Sequence, residues 1–204
     1  MYLNTLLPLT AKLLNELKSS YLPEKSYLAG GTAIALQLGH RKSNDLDFFT
    51  PTKFSEIAWE EKFKEELKLK TSQRDWQTII GNIGSVKFSL FYYSHKLIEK
   101  LVSWNGIFLA SLPDLAAIKL DTVISRGAKR DLIDIYFLTK KYSLPKLFTF
   151  YEQKYGNFSD REIMIKKALV YFDDADRDED PQMLVNVGWK TVKKSLLDFV
   201  KISG

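Results

Sequence analysis

The chain has no cysteine among its 204 residues and only two histidines, His40 and His95. Disulfides and thiolate metal sites are excluded, and two imidazoles are too few for the usual zinc set. Any metal is therefore expected to be a hard cation on carboxylate oxygens. No run approaches the roughly 20 apolar residues that cross a bilayer. The opening MYLNTLLPLTAKLLNELK has neither a basic start nor a small-residue cleavage signal. The expectation is a cytoplasmic protein with no membrane partner. Internal repeats, low-complexity linkers and Rossmann or Walker phosphate loops are absent as well.

What is present suffices for a folded core: 45% of residues are hydrophobic and 27% charged, which separates the chain from disordered sequences. The formal charge is +5, yet the segment DDADRDED at 173–180 holds six acids against one arginine. The rest is therefore about +10, a balance that suits an anionic partner such as a nucleotide or RNA, or simply a lysine-rich solvated surface. The acidic segment lacks the glycine and terminal glutamate of a calcium loop and is expected to be a solvated loop.

The opening leucines, Leu3, Leu6, Leu7, Leu13, Leu14 and Leu17, have helical spacing. SYLAGG reads as a short strand running into glycines, TAIALQLGH as a brief helix, and DLDFFT as an alternating strand ended by Pro51. A charged helix is expected over 54–69, then two antiparallel strands, QTIIGNI and SVKFSLFYY, and shorter strand candidates in KLIEKLV and GIFLAS. From Pro113 onward the pattern is helical, over about 113–126, 129–141, 145–154, 159–170 and 183–201. The fold class is α+β, with an expected α/β core over 1–111 and a helical C-terminal region over 112–204.

Asp45 and Asp47 lie two apart on a predicted strand, so their carboxylates share one face with Cα atoms about 7 Å apart. Two acids at that spacing can converge on one magnesium ion, which keeps positions open for water or phosphate oxygens. The same pattern also describes two solvent-facing acids at a strand end. Thirteen residues upstream of Asp45, Gly30-Gly31-Thr32 joins a strand to a helix. There, unpaired N–H groups and the helix dipole favour an anion, glycine admits close approach, and Thr32 adds a hydroxyl. A plain turn with a threonine cap has the same sequence.

Taken together, strand, GGT, helix and DLD in this order resemble the signature of the polymerase-beta-like nucleotidyltransferases. The stretch LAGGTAIALQLGHRKSNDLDFFT resembles one branch in particular, the AbiEii/AbiGii toxin family, through His40, Arg41, Ser43, Asp45, Leu46, Asp47, Phe48 and Phe49. A second block, IKLDTVISRGAKRDLIDIYFL, is similar to that branch as well. In it Lys119 and Arg126 are seven apart on one helix face, about 10.5 Å along the axis. Asp131 and Asp134 are three apart on the next helix. The resemblance spans roughly residues 26–140.

It implies a mixed sheet with flanking helices and transfer of a nucleoside monophosphate from a nucleoside triphosphate (NTP) to an acceptor. The acceptor would be RNA, in particular the 3′ end of tRNA, with a cognate antitoxin as a further partner. Asp45 and Asp47 would hold Mg²⁺ or Mn²⁺. Lys119 would meet the triphosphate, and Asp131 would do catalytic or lysine-orienting work. Gly30, Gly31, Thr32, Arg41, Ser43, Lys87, Ser89 and Arg126 would complete the nucleotide site. Lys129, Arg130 and Asp134 are further candidates, and Arg41, Lys42, Arg126, Lys129 and Arg130 would serve RNA phosphates. One departure stands out. The strand VKFSLFYY offers Lys87 and Ser89 where many relatives place a third carboxylate, which leaves the general base open and Asp131 as its substitute. The same gap keeps two alternatives in view, a non-catalytic nucleotide- or RNA-binding module and transfer to a protein hydroxyl.

Overall fold

A computed structural model describes residues 1–156 and 159–202. Its centre is a seven-stranded mixed sheet. In chain order the strands are β1 (Tyr27–Leu28), β2 (Leu46–Thr50), β3 (Lys70–Asp75), β4 (Thr78–Ile83), β5 (Val86–Tyr92), β6 (Val102–Trp104) and β7 (Ile107–Leu109). The order across the sheet is β3-β4-β5-β2-β1-β7-β6. β4 and β5 form the expected antiparallel pair and β3 adds to it antiparallel, while β5 meets β2, and β1 meets β7, in parallel.

The helices are α1 (Pro8–Glu16), α2 (Gly30–Leu38), α3 (Glu56–Leu67), α4 (Leu112–Arg126), α5 (Lys129–Thr139), α6 (Leu144–Tyr155), α7 (Ser159–Val170) and α8 (Trp189–Ile202). Local chemistry explains their ends. Pro8 opens α1, where a missing N–H costs nothing, so the leucine pattern that begins at Leu3 with a single 3-10 turn becomes an α-helix only from there. At α4 the Ser111 hydroxyl accepts from the Asp114 N–H, and Gly127 closes the helix at φ +53°.

The sequence reading missed β3. Its residues, KTSQRD, are nearly all exposed, because an edge strand has one neighbour and little to bury. KLIEKLV is mostly irregular, with only Val102 reaching β6, and α8 starts at Trp189 rather than 183.

On one face of the central strands Leu46 and Phe48 of β2 and Phe88 and Leu90 of β5 are fully buried, with Phe63 of α3 edge-on to Phe88. Alternation sends Asp47 and Ser89, which pair in register, to the other face. The core is continuous: Leu28, Leu109, Leu115, Leu132 and Leu196 belong to one buried cluster that joins sheet and helices. No helix among the described residues is long and apolar enough to cross a membrane.

Candidate active site

The turn between β1 and α2 faces the start of β2. The Ala29 N–H donates to the Asp47 carbonyl (2.8 Å), which fixes the helix N-terminus against the strand. Gly30 sits at φ +65°, and a Cβ there would come within 2.5 Å of Asp47 Oδ2; a Cβ on Gly31 would collide with the Arg41 guanidinium. The two glycines therefore make room for an acid and a base as well as for any phosphate.

Asp45 and Asp47 line a small cavity of about 80 Å³ together with Gly31, Arg41, Ser43, Lys87, Lys119, Arg126 and Arg130. The strands, three helices and the 40–44 loop thus deliver to one place most of the side chains singled out in the sequence. Asp47 is partly buried, and burial followed by repulsion from Asp45 raises its pKa, against the opposing pull of Ser89, Lys119 and Lys87. Its carboxylate has no ion-pair partner among the described residues, and Asp45 has only a loose contact at 3.7 Å with the half-exposed Arg130. A divalent cation fits this pair, since it would offset the repulsion that the folded chain leaves standing. No group of three or more potential ligands occurs among the described residues, so phosphate and water oxygens would have to complete the shell.

Behind the pair lies a buried charge network. Asp134 is fully buried. Its Oδ1 accepts from His40 Nε2 (2.8 Å) and Arg41 Nε (2.7 Å), and its Oδ2 from Arg41 Nη2 (2.9 Å). Lys119 Nζ lies 3.0 Å from Asp134 Oδ2 and donates to Asp131 Oδ1 (2.5 Å). Arg126 closes the other side of Asp131 with bonds of 2.6 and 2.9 Å. Burial alone would raise both carboxylates. At Asp134 the charges of Arg41 and Lys119 outweigh it and hold the pKa well below the usual range; at Asp131 the Arg126 bond and the Lys119 charge hold it lower. Asp134 also raises Arg41 against the downward pull of burial, and the bond to Asp131 raises Arg126.

The family model described as nucleotidyl transferase AbiEii toxin, type IV TA system, matches residues 12–87. The protein aq_aa25 of Aquifex aeolicus (strain VF5) is 37% identical over 155 residues, 73% of this chain and 74% of the relative. The chain belongs to the AbiEii nucleotidyltransferase toxin family. It is accordingly a nucleotidyltransferase. JHP933 from Helicobacter pylori shares the fold at a TM-score of 0.55 and 16% identity, over 95% of this chain and 89% of its own. The antibiotic-resistance factor ANT(2″)-Ia shares it at 0.51 and 12%, over 70% and 85%.

Several expected roles change in this AbiEii-type site. Thr32 is buried, and its hydroxyl donates to the Asp45 carbonyl and lies 2.8 Å from Ser43 Oγ, so it ties α2 to the strand entry instead of facing a nucleotide. Asp131 is no substitute general base: a carboxylate that already accepts from an ammonium and a guanidinium, with a lowered pKa, has little affinity for a further proton. Its place is the lysine-orienting one. Ser89 is buried beside Asp47 and bonds to its side chain. Lys129 is buried rather than available to RNA, its ammonium held by Asp180 (2.9 Å) and the Asp178 carbonyl. Arg41, likewise buried, is committed to Asp134. Lys42 is half-buried, and Arg126 and Arg130 are half-exposed.

Two features carry no signal in the sequence. The loop bearing Arg41 and Ser43 is gripped from both ends of the chain, by Thr5 and Leu6 at Ser43 and by Gln182–Leu184 pairing with 40–42. The acidic loop is exposed, as expected, yet Asp176 holds Trp189 and Lys193 of α8, and Asp178 caps the Lys129 N–H.

Proposed function

We propose that the enzyme transfers a nucleoside monophosphate from an NTP to the 3′ end of an RNA, tRNA above all, with Mg²⁺ or Mn²⁺ held by Asp45 and Asp47. The observation that carries this reading is a pair of carboxylates, Asp47 without an ion-pair partner among the described residues and Asp45 with one loose contact, in one cavity with Lys87, Lys119, Arg126 and Arg130. When bound, the divalent ion supplies charge neutralisation at the reacting phosphate oxygens. The remaining work belongs to the chain. The N–H groups at the start of α2 and the side chains of Lys119 and Arg126 draw the triphosphate in, and their tethering to Asp131 and Asp134 keeps the cations in place. The acceptor hydroxyl gives its proton to solvent water as its oxygen bonds to the α-phosphorus, while the bond from that phosphorus to the bridging oxygen breaks and pyrophosphate leaves. In such transfers positioning and electrostatics account for most of the rate.

The cavity is far smaller than the roughly 300–1,000 Å³ of ordinary ligand pockets. The acceptor needs adjoining space, and a polar groove of about 430 Å³ shares Arg41, Ser43, Asp45 and Arg130 with the cavity. Lys42 and Arg130 give it cations for a strand end, and Asp178, Glu179 and Asp180 line it too, Asp180 being offset by Lys129. With Arg41 and Lys129 withdrawn, Lys42, Arg126 and Arg130 remain of the five cations expected at RNA phosphates, and the slope of log K against log salt should be roughly −2 at about −0.7 per phosphate. A cognate antitoxin accompanies this reading as the partner that restrains the toxin.

Labelled NTPs with Mg²⁺, total cellular RNA and lysate protein test the proposal directly. Covalent label on RNA that is removed by 3′ exonuclease is the expected result. Label on protein alone, or a salt slope near zero, overturns the RNA acceptor.

A further inference from the structure

β2 and β5 run parallel as neighbours, with Leu46 opposite Phe88 and Asp47 opposite Ser89. Alternation therefore places Lys87 on the face that carries Asp47, one strand away, and Lys87 lines the same cavity as both aspartates. A carboxylate at this place would give a hard cation a third protein ligand. An ammonium there does the opposite and repels one.

The other acids near the cavity cannot compensate. Asp131 and Asp134 face Lys119, Arg41 and Arg126 and are saturated by them. Two divalent ions about 3.5–4 Å apart need enough anionic ligands to offset their mutual repulsion. Asp45 and Asp47 are the pair at hand, with no cluster of three ligands among the described residues. Lys87 itself is exposed and has no ion-pair partner among them, so its ammonium is available to a phosphate.

We propose that this centre loads a single divalent ion and that Lys87 supplies, as a side-chain cation on the reacting phosphates, the charge a second ion would otherwise bring. The inference rests on the reading of Asp45 and Asp47 as metal ligands, and its test separates the two. The full chain is equilibrated with Mn²⁺ and inorganic tripolyphosphate, which carries the phosphates without a base. Bound Mn²⁺ is counted by dialysis, and spin coupling between neighbouring ions is sought by electron paramagnetic resonance. One uncoupled ion per chain is expected, rising to two coupled ions in Lys87→Asp, an exposed substitution that disturbs no packing. Two ions in the natural chain overturn the single-ion proposal and leave the aspartate reading intact, whereas no bound ion overturns both. A Lys87→Asp chain that still binds one ion overturns the part given to Lys87.

Discussion

Two pairs of aspartates lie within the same small region and have opposite fates. Asp45 and Asp47 line a cavity with their repulsion only partly relieved, and burial and that repulsion raise the Asp47 pKa. Asp131 and Asp134 sit behind it with lysine and arginine against every carboxylate oxygen, and both are lowered. Identical side chains would draw an external cation in one case and brace internal cations in the other. What separates them is whether the fold supplies the countercharge. An acid pair that folding leaves unpaid in electrostatic terms marks where a ligand belongs.

The sharpest way to break this comparison is to neutralise the open pair. Asp47→Asn is expected to lower transfer activity by about 10²- to 10³-fold while leaving thermal stability unchanged or higher. Full activity in a labelled-NTP assay would remove the distinction between the pairs. The buried pair should answer the other way. Asp134→Ala strands Arg41, Lys119 and His40 in the interior and should cost about 3–5 kcal/mol in urea unfolding. A loss under 1 kcal/mol, on the order of a surface pair, would mean that the network braces nothing.

The signs also differ with pH. Asp131 and Asp134 have depressed pKa values in the fold, so their stabilisation is present above the unfolded carboxylate value of about 3.9 and is lost as pH falls through the folded values. Asp47 has a raised value, so its contribution is intact below about 3.9 and is lost as pH rises through the folded pKa. Asp47→Asn should therefore be more stable than the natural chain at neutral pH, with the gap closing under acid or on adding excess Mg²⁺. An unchanging gap across a pH series of melting curves would count against the assignment.

Smaller effects refine the picture. Thr32→Val removes the hydroxyl that ties α2 to the Asp45 carbonyl and should cost about 1–2 kcal/mol, whereas Thr32→Ser should be nearly neutral; a loss in Thr32→Ser with none in Thr32→Val would point to the methyl group instead. Last, Arg130→Ala should flatten the salt dependence of RNA binding by about 0.7 and Lys129→Ala should not, because Lys129 is spent on Asp178 and Asp180.

The sequence by itself determined the family, the α+β class, the strand, glycine turn, helix and strand unit, and the residues to watch. Those features are local: two-residue alternation brings Asp45 and Asp47 together, and glycine at a strand-to-helix turn is visible in one dimension. The ends of the helix read over 113–126 were equally legible, since a proline start and a glycine stop are chemistry between near neighbours. Only the tertiary structure decided which cations are spent and which are left over. Nothing within a few residues of Arg41 shows that Asp134, 93 positions away, will take its guanidinium, or that Asp180 will take Lys129 across 51. Nor does the string KTSQRD show that a partner strand will make it an edge of the sheet. A charge's availability depends on what long-range packing sets beside it, and packing also decides whether that partner is buried, where pairing is strong, or in water, where it is weak.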